Sequence, residues 1–221
     1  GNNVSLLNHA HHNMVVQQVR PSEVLDNAVL SVMTEVSRAN FVDEHLAMMA
    51  YADTMLPLSH GQTMLSPILE GRFLQALHLT PETNVLEIGT GSGYFTALLA
   101  KLARHVISVE FYSDLSERAA QRLSHAGIGN VTLTVGDASQ GWSLVERVDT
   151  IVLTAACADI PDDYLQSLKV GGKLLIATGK APAMPVQLIT RTSEREWQTI
   201  VLFETVIPYL INAEPSQPFE F

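Results

Sequence analysis

The stretch VLEIGTGSGY, Val85 to Tyr94, constrains the fold more than any other part of the chain. A short apolar strand, Val85 to Ile88, runs into three alternate glycines, Gly89, Gly91 and Gly93. A helical pattern follows, with Phe95, Leu98, Leu99 and Leu102 on one face. A glycine turn between a strand and a helix lets a ligand approach the backbone closely at the carboxyl edge of a parallel sheet. It therefore demands further strands and helices downstream.

They are there. His105 to Glu110 reads as a second strand, Leu115 to Leu123 as a second helix, Val131 to Val135 as a third strand and Thr150 to Thr154 as a fourth. A helix around Asp162 to Leu168 leads through Gly171-Gly172 into a fifth strand, Lys173 to Ala177. Strands alternating with helices mean a parallel sheet covered on both faces, an α/β, doubly wound, Rossmann-like fold. The tail differs: Val186 to Thr190 and Thr199 to Glu204 flank a polar turn and read as a C-terminal strand pair completing the sheet.

Residues 1–80 read as a helical N-terminal region of the same domain, 81–180 as its ligand-binding core and 181–221 as the closing strands. In the first region Leu25, Ala28, Val29, Val32, Met33 and Val36 form an apolar stripe along about four turns. A second helix starts at Pro67, with Ser66 as its cap, and carries Phe73, Leu74 and Leu77. Residues 1–20 are polar. His9, His11 and His12 lie close together without an acidic or cysteine partner, so the expectation is a solvated, frayed terminus and no metal.

The balance of 13 Lys+Arg against 23 Asp+Glu, a formal charge of -10, repels phosphate backbones and argues against a nucleic-acid substrate. No apolar run is long enough for a membrane span, and the opening residues show no secretory signal pattern. The single Cys157 rules out an intramolecular disulfide and fits the cytoplasm. Nothing in the sequence speaks to oligomeric state.

Two ligand classes use a loop of this kind. A dinucleotide fingerprint needs a third glycine where this chain has Tyr94. An acid, Glu87, stands two residues before the first glycine, and E-x-G-x-G-x-G resembles motif I of the S-adenosylmethionine-dependent methyltransferases. Glu110, 21 residues after Gly89 and at the end of the second strand, can accept both ribose hydroxyl hydrogens. Asp137, ending the third strand, can accept from an adenine amino group.

The resemblance then narrows. From about Met14 to Leu210 the chain looks like a protein-L-isoaspartate O-methyltransferase. The segments that carry this are YADTMLPLSHGQT (Tyr51 to Thr63), VLEIGTGSGY, NVTLTVGDAS (Asn130 to Ser139), Asp149 to Pro161 and LKVGGKL (Leu168 to Leu174). The resemblance implies S-adenosylmethionine as cofactor, leaving S-adenosylhomocysteine. It implies cofactor contacts from Gln62, Thr63, Met64, Glu87, Gly89, Thr90, Gly91, Gly93, Glu110, Phe111, Asp137 and Ala138. The acceptor is a protein or peptide carboxylate, or a small molecule.

The departures fall at the acceptor side. Family members carry an active-site serine where this chain has Leu65; Ser66 sits one place late, where it serves as a helix cap or, with Thr63, as the catalytic hydroxyl. A glycine-rich stretch expected before Gln187 is replaced by Lys180 to Pro185. The sulfonium methyl is already electrophilic and a carboxylate acceptor, with a pKa of about 4, is already ionised, so no general base is needed. His60 is read as structural or acceptor-lining, and Cys157, Trp142 and Trp197 as packing residues. Rival readings are a methyltransferase with another acceptor, a cofactor-binding protein impaired by Leu65, and a nicotinamide oxidoreductase, which Tyr94 opposes.

Overall fold

The computed structural model describes residues 2–216. Seven strands form one sheet in the order β3-β2-β1-β4-β5-β6-β7. They are β1 (Asn84–Ile88), β2 (His105–Glu110), β3 (Val131–Val135), β4 (Val148–Leu153), β5 (Leu168–Ala177), β6 (Met184–Ser193) and β7 (Glu196–Thr205). β1 pairs in parallel with β2 on one side and β4 on the other, and Val85, Leu86 and Ile88 are buried, as a central strand covered on both faces requires. The order in which strands are added across the sheet reverses between β1 and β4. The crevice beyond their carboxyl ends is where such a sheet binds ligands.

Among the described residues three helices cover the core, α4 (Tyr94–Leu102), α5 (Ser113–His125) and the short α6 (Asp162–Gln166), after α1 (Asn2–Asn13), α2 (Asn27–Glu35) and α3 (Pro67–Leu77) of the N-terminal region. The parallel pairing ends at β5, and the strand pair expected at the tail completes the sheet. Only a short connection separates Ala177 from Met184, too little for the crossover that parallel pairing needs, so β6 and then β7 add antiparallel. β5 also begins earlier than expected, at Leu168, and runs through Gly171-Gly172 with an irregular register against β4. A Cβ at Gly172 would stand 2.9 Å from the Lys169 carbonyl oxygen and 3.0 Å from that of Asp149, so the second glycine admits the close approach.

The N-terminal segment is not a frayed terminus. Asn2–Asn13 form α1, which continues as a π-helical stretch, Met14–Val19, burying Met14, Val15 and Val19. His11 lies with Nε2 2.7 Å from the Met33 carbonyl oxygen and stacks on Tyr51 with centroids 4.8 Å apart. α2 (Asn27–Glu35) is shorter than the apolar stripe suggests. Asp26 caps it by accepting the Ala28 amide at 2.8 Å, which leaves Leu25 outside the helix and 73% exposed, while Val24 is buried. Ala28 faces solvent. α3 (Pro67–Leu77) begins as expected, with Ser66 Oγ accepting the Leu69 amide at 3.4 Å. Gly71 is where the N-terminal segment closes on α3: a Cβ there would lie 2.8 Å from Val19 Cγ1 and 3.3 Å from Val24 Cγ2.

Candidate active site

The loop after β1 holds Gly89, Gly91 and Gly93 at φ of 98°, 56° and 89°, all in the region that side chains avoid. At Gly89 the need is also steric, because a Cβ would stand 2.3 Å from Thr154 Oγ1. Thr154 Oγ1 in turn donates to the Gly89 carbonyl at 2.6 Å, tying the loop to the end of β4. Gly93 caps α4 and packs on α5, where a Cβ would meet Ala119 at 3.0 Å. Tyr94 does not disturb the loop. Its side chain is fully buried, tilted against Phe41 at 5.8 Å and with the Arg38 guanidinium 5.4 Å from its ring centre, so it joins the core to the N-terminal region.

Glu87 lies beneath this loop and does not line the cleft. It is fully buried; its Oε1 accepts hydrogen bonds from Ser108 Oγ at 2.6 Å and from Thr96 Oγ1. Burial pushes its carboxyl up to about 8, against the pull of the Ser108 and Thr96 hydroxyls. Any effect of Glu87 on a ligand passes through the loop.

The cleft itself, with about 530 Å³ of empty space including its open mouth, sits at the carboxyl ends of β1, β2 and β4. Gln62, Thr63, Gly89, Gly91, Glu110, Phe111 and Ala138 all line it, as does Gly136. Glu110, 6% exposed, accepts the Gly91 amide through Oε1 at 2.8 Å and the Tyr112 amide through Oε2 at 3.0 Å. A carboxylate offers about four acceptor positions, so two remain for a ligand. Asp137 stands at the rim beside Gly136 and Ala138 rather than in the lining. The Ser139 amide (2.9 Å) and Asn212 Nδ2 (2.9 Å) bind it, and these bonds, the former first, hold its carboxyl below the usual range. The tail thereby reaches the site, and Leu210 and Ile211 form part of its wall.

The HGQT segment folds over the cleft. The Leu58 amide donates to the Gln62 carbonyl at 2.7 Å and the Met64 amide to that of Leu56 at 2.8 Å, while His60 and Gly61 turn the chain at positive φ. His60, for which the sequence suggests no acidic partner, has one: Nε2 lies 2.8 Å from Asp114 Oδ1, and its ring stacks on Tyr112 at 4.0 Å. The segment is thus pinned to the start of α5. Thr90, Met64 and Leu65 line a smaller adjoining pocket, with Leu65 only 6% exposed. Cys157 lies outside both, buried, with its thiol pushed up to about 12 by desolvation. Lys180 to Pro185 turns into β6 and lines neither pocket.

Residues missed by sequence reasoning are Thr154 and the buried pair Arg38–Glu70. Thr154 carried one signal, a hydroxyl at a strand's carboxyl end beside the sheet reversal. Arg38 Nε donates to Glu70 Oε1 at 3.1 Å, from a position 32 residues away, and nothing local announces that.

Residues 9–209 match the model of the protein-L-isoaspartate(D-aspartate) O-methyltransferase family. The chain belongs to this family. It is 40% identical over 183 residues to the protein-L-isoaspartate O-methyltransferase of Protochlamydia amoebophila, covering 83% of this chain and 86% of that one. The enzyme of the same name from Picosynechococcus is 43% identical over 166 residues, 75% of each chain. A Plasmodium falciparum structure named for the same activity, in complex with S-adenosyl-L-homocysteine, superposes with a TM-score of 0.78 over 90% of this chain and 97% of that one, at 22% identity; it shows the shared fold. Family membership makes the chain an S-adenosylmethionine-dependent methyltransferase. No helix among the described residues is long and apolar enough to cross a membrane.

Proposed function

We propose that this methyltransferase acts on a carboxylate carried by a peptide, of the isoaspartyl kind that names its relatives, at the mouth of the cleft beside Thr63. The observation that carries the reading is Glu110, whose carboxylate lines the cleft and fixes the glycine loop at once. In this reading the free acceptor positions of Glu110 take the ribose hydroxyls. Gly136 and Ala138 face the adenine, with Asp137 at the rim, and Phe111 covers it. Gly89 and Gly91 allow close approach of the sulfur-bearing chain, with Glu87 stiffening the loop from below. S-adenosylmethionine brings an electrophilic methyl group, so the chain's residues have only to orient the acceptor in line and exclude water.

Gln62, Thr63 and Met64 border the position of transfer, and Thr63 is the hydroxyl that can hold the acceptor. Ser66 is committed to its cap, which argues against catalysis. Leu65 adds apolar bulk where relatives place a serine, and this supports a second reading, transfer to an acceptor less polar than an isoaspartyl carboxylate. The lone buried thiol of Cys157 supports a cytoplasmic setting. Methyl incorporation into an isoaspartyl peptide, run beside a cell extract as acceptor, tests the two. Transfer to the peptide supports the first; labelling in the extract alone favours the second.

A further inference from the structure

Thr63, Gly89, Gly91 and Thr154 border both the cleft and a smaller adjoining pocket with about 290 Å³ of empty space, its opening included. One charged side chain lines that pocket: Glu70, from the first turn of α3. It is 2% exposed. Only its Oε1 takes a hydrogen bond among the described residues, from Arg38. Arg38 itself is wholly buried, does not line the pocket, and commits its other nitrogens to the carbonyls of Ala50 at 2.6 Å and Leu65 at 2.8 Å. Glu70 is therefore a carboxylate in a pocket wall with one oxygen unengaged and a single fixed cation behind it.

On the reading of the cleft given above, we propose that Glu70 pairs with the α-ammonium of the methionine half of S-adenosylmethionine. The inference rests on that reading for the position of the rest of the cofactor. With adenine toward Gly136 and Ala138 and ribose at Glu110, the chain beyond the ribose runs over Gly89 and Gly91 toward Thr63 and Thr154. That path leads into the Glu70 pocket. An ammonium leaving water needs an anionic acceptor, and Glu70 is the acid the pocket offers. The need is mutual. Even beside Arg38, burial leaves the Glu70 carboxyl raised to about 7, with Asp53 nearby adding to the rise, so a second positive charge would relieve it. The resemblance assigns this residue no role; it reaches the pocket because α3 and the glycine loop line it together.

The test compares two ligands on two proteins by calorimetry. S-adenosylhomocysteine carries the amino-acid half; 5′-methylthioadenosine shares the adenosine and thioether and lacks it. Glu70→Gln keeps the size of the side chain and an acceptor for Arg38 Nε while removing the charge. The expected result is a roughly ten- to hundredfold loss of S-adenosylhomocysteine affinity, with methylthioadenosine affinity changed by no more than about twofold. Unchanged S-adenosylhomocysteine affinity, or an equal loss for both ligands, overturns the proposal. If the unpaired Arg38 prevents folding, Arg38→Met with Glu70→Met replaces the pair by apolar side chains of similar size, and the same contrast between ligands is required of it. Equal binding of both ligands by the parent overturns the role of Glu70 and leaves the cleft reading standing. Binding of neither by the folded parent overturns both.

Discussion

Glu110 Oε1 accepts the Gly91 amide at 2.8 Å, so the residue read as the ribose acceptor is also a strut of the loop that cradles the ligand. Its other oxygen holds the Tyr112 amide. Binding and stability are therefore coupled at this side chain. The acid at this strand end is therefore needed by the fold even when no ligand is bound.

Glu110→Ala is accordingly expected to fail twice. Removing the acceptor strands two loop amides, each worth about 1–3 kcal/mol if left unpaired, and water entering the gap offsets part of that. The ligand-free melting temperature should fall by about 2–4 °C for every kcal/mol lost. S-adenosylhomocysteine affinity should drop at least roughly tenfold. Differential scanning calorimetry and titration calorimetry check the two halves. A variant that melts like the parent would mean the loop does not depend on Glu110.

Glu87 makes stability depend on pH. Its folded-state value of about 8 lies above the ordinary 4.5, so the unfolded chain loses this proton first. Stability from this group is then full below about pH 4.5 and declines as pH rises, levelling near pH 8. Glu70, raised to about 7, acts in the same direction over the lower part of that window. Glu87→Gln should match the parent in urea unfolding near pH 4.5 and exceed it by a growing margin toward pH 8. A margin independent of pH would show that Glu87 does not titrate in this window.

Gly71→Ala places a methyl 2.8 Å from Val19 Cγ1. Alanine favours a helix interior by about 1 kcal/mol, which works against the clash. The site is walled by Val19, Val24 and Met33, so overpacking of roughly 1–3 kcal/mol should prevail. The expected outcome is a lower urea midpoint; a higher one would mean the N-terminal segment yields freely.

How far the sequence speaks depends on where the deciding contact lies. β2 and β3 have the bounds read from their alternating β-branched runs, because those runs end in the loops that the strands themselves require. Ser66 announces its cap through the proline that follows it. Asn2 to Val19 conceals its helix: the polar run looks solvated until His11 meets Tyr51 and Met33, contacts more than twenty residues away. Glu87 appears to belong to the ligand because its motif does, yet strand alternation turns it beneath the loop. The Arg38–Glu70 pair and the His60–Asp114 contact are made only when α3 and α5 are in place.

Leu65→Ser should raise transfer to an isoaspartyl peptide. A desolvated acceptor group left unpaired against Leu65 costs about 1–3 kcal/mol, or one to two orders of magnitude in rate. Single-turnover methyl incorporation compares the two proteins. Robust transfer by the parent would promote Thr63 to the sufficient hydroxyl, and no transfer by either would point to another acceptor.

The most direct measurement is a crystal structure of the chain with S-adenosylhomocysteine. The expected density has both ribose hydroxyls within hydrogen-bond reach of Glu110 and adenine between Phe111 and the Gly136–Ala138 backbone. Density for the ligand elsewhere, or a ribose turned away from Glu110, would contradict the account.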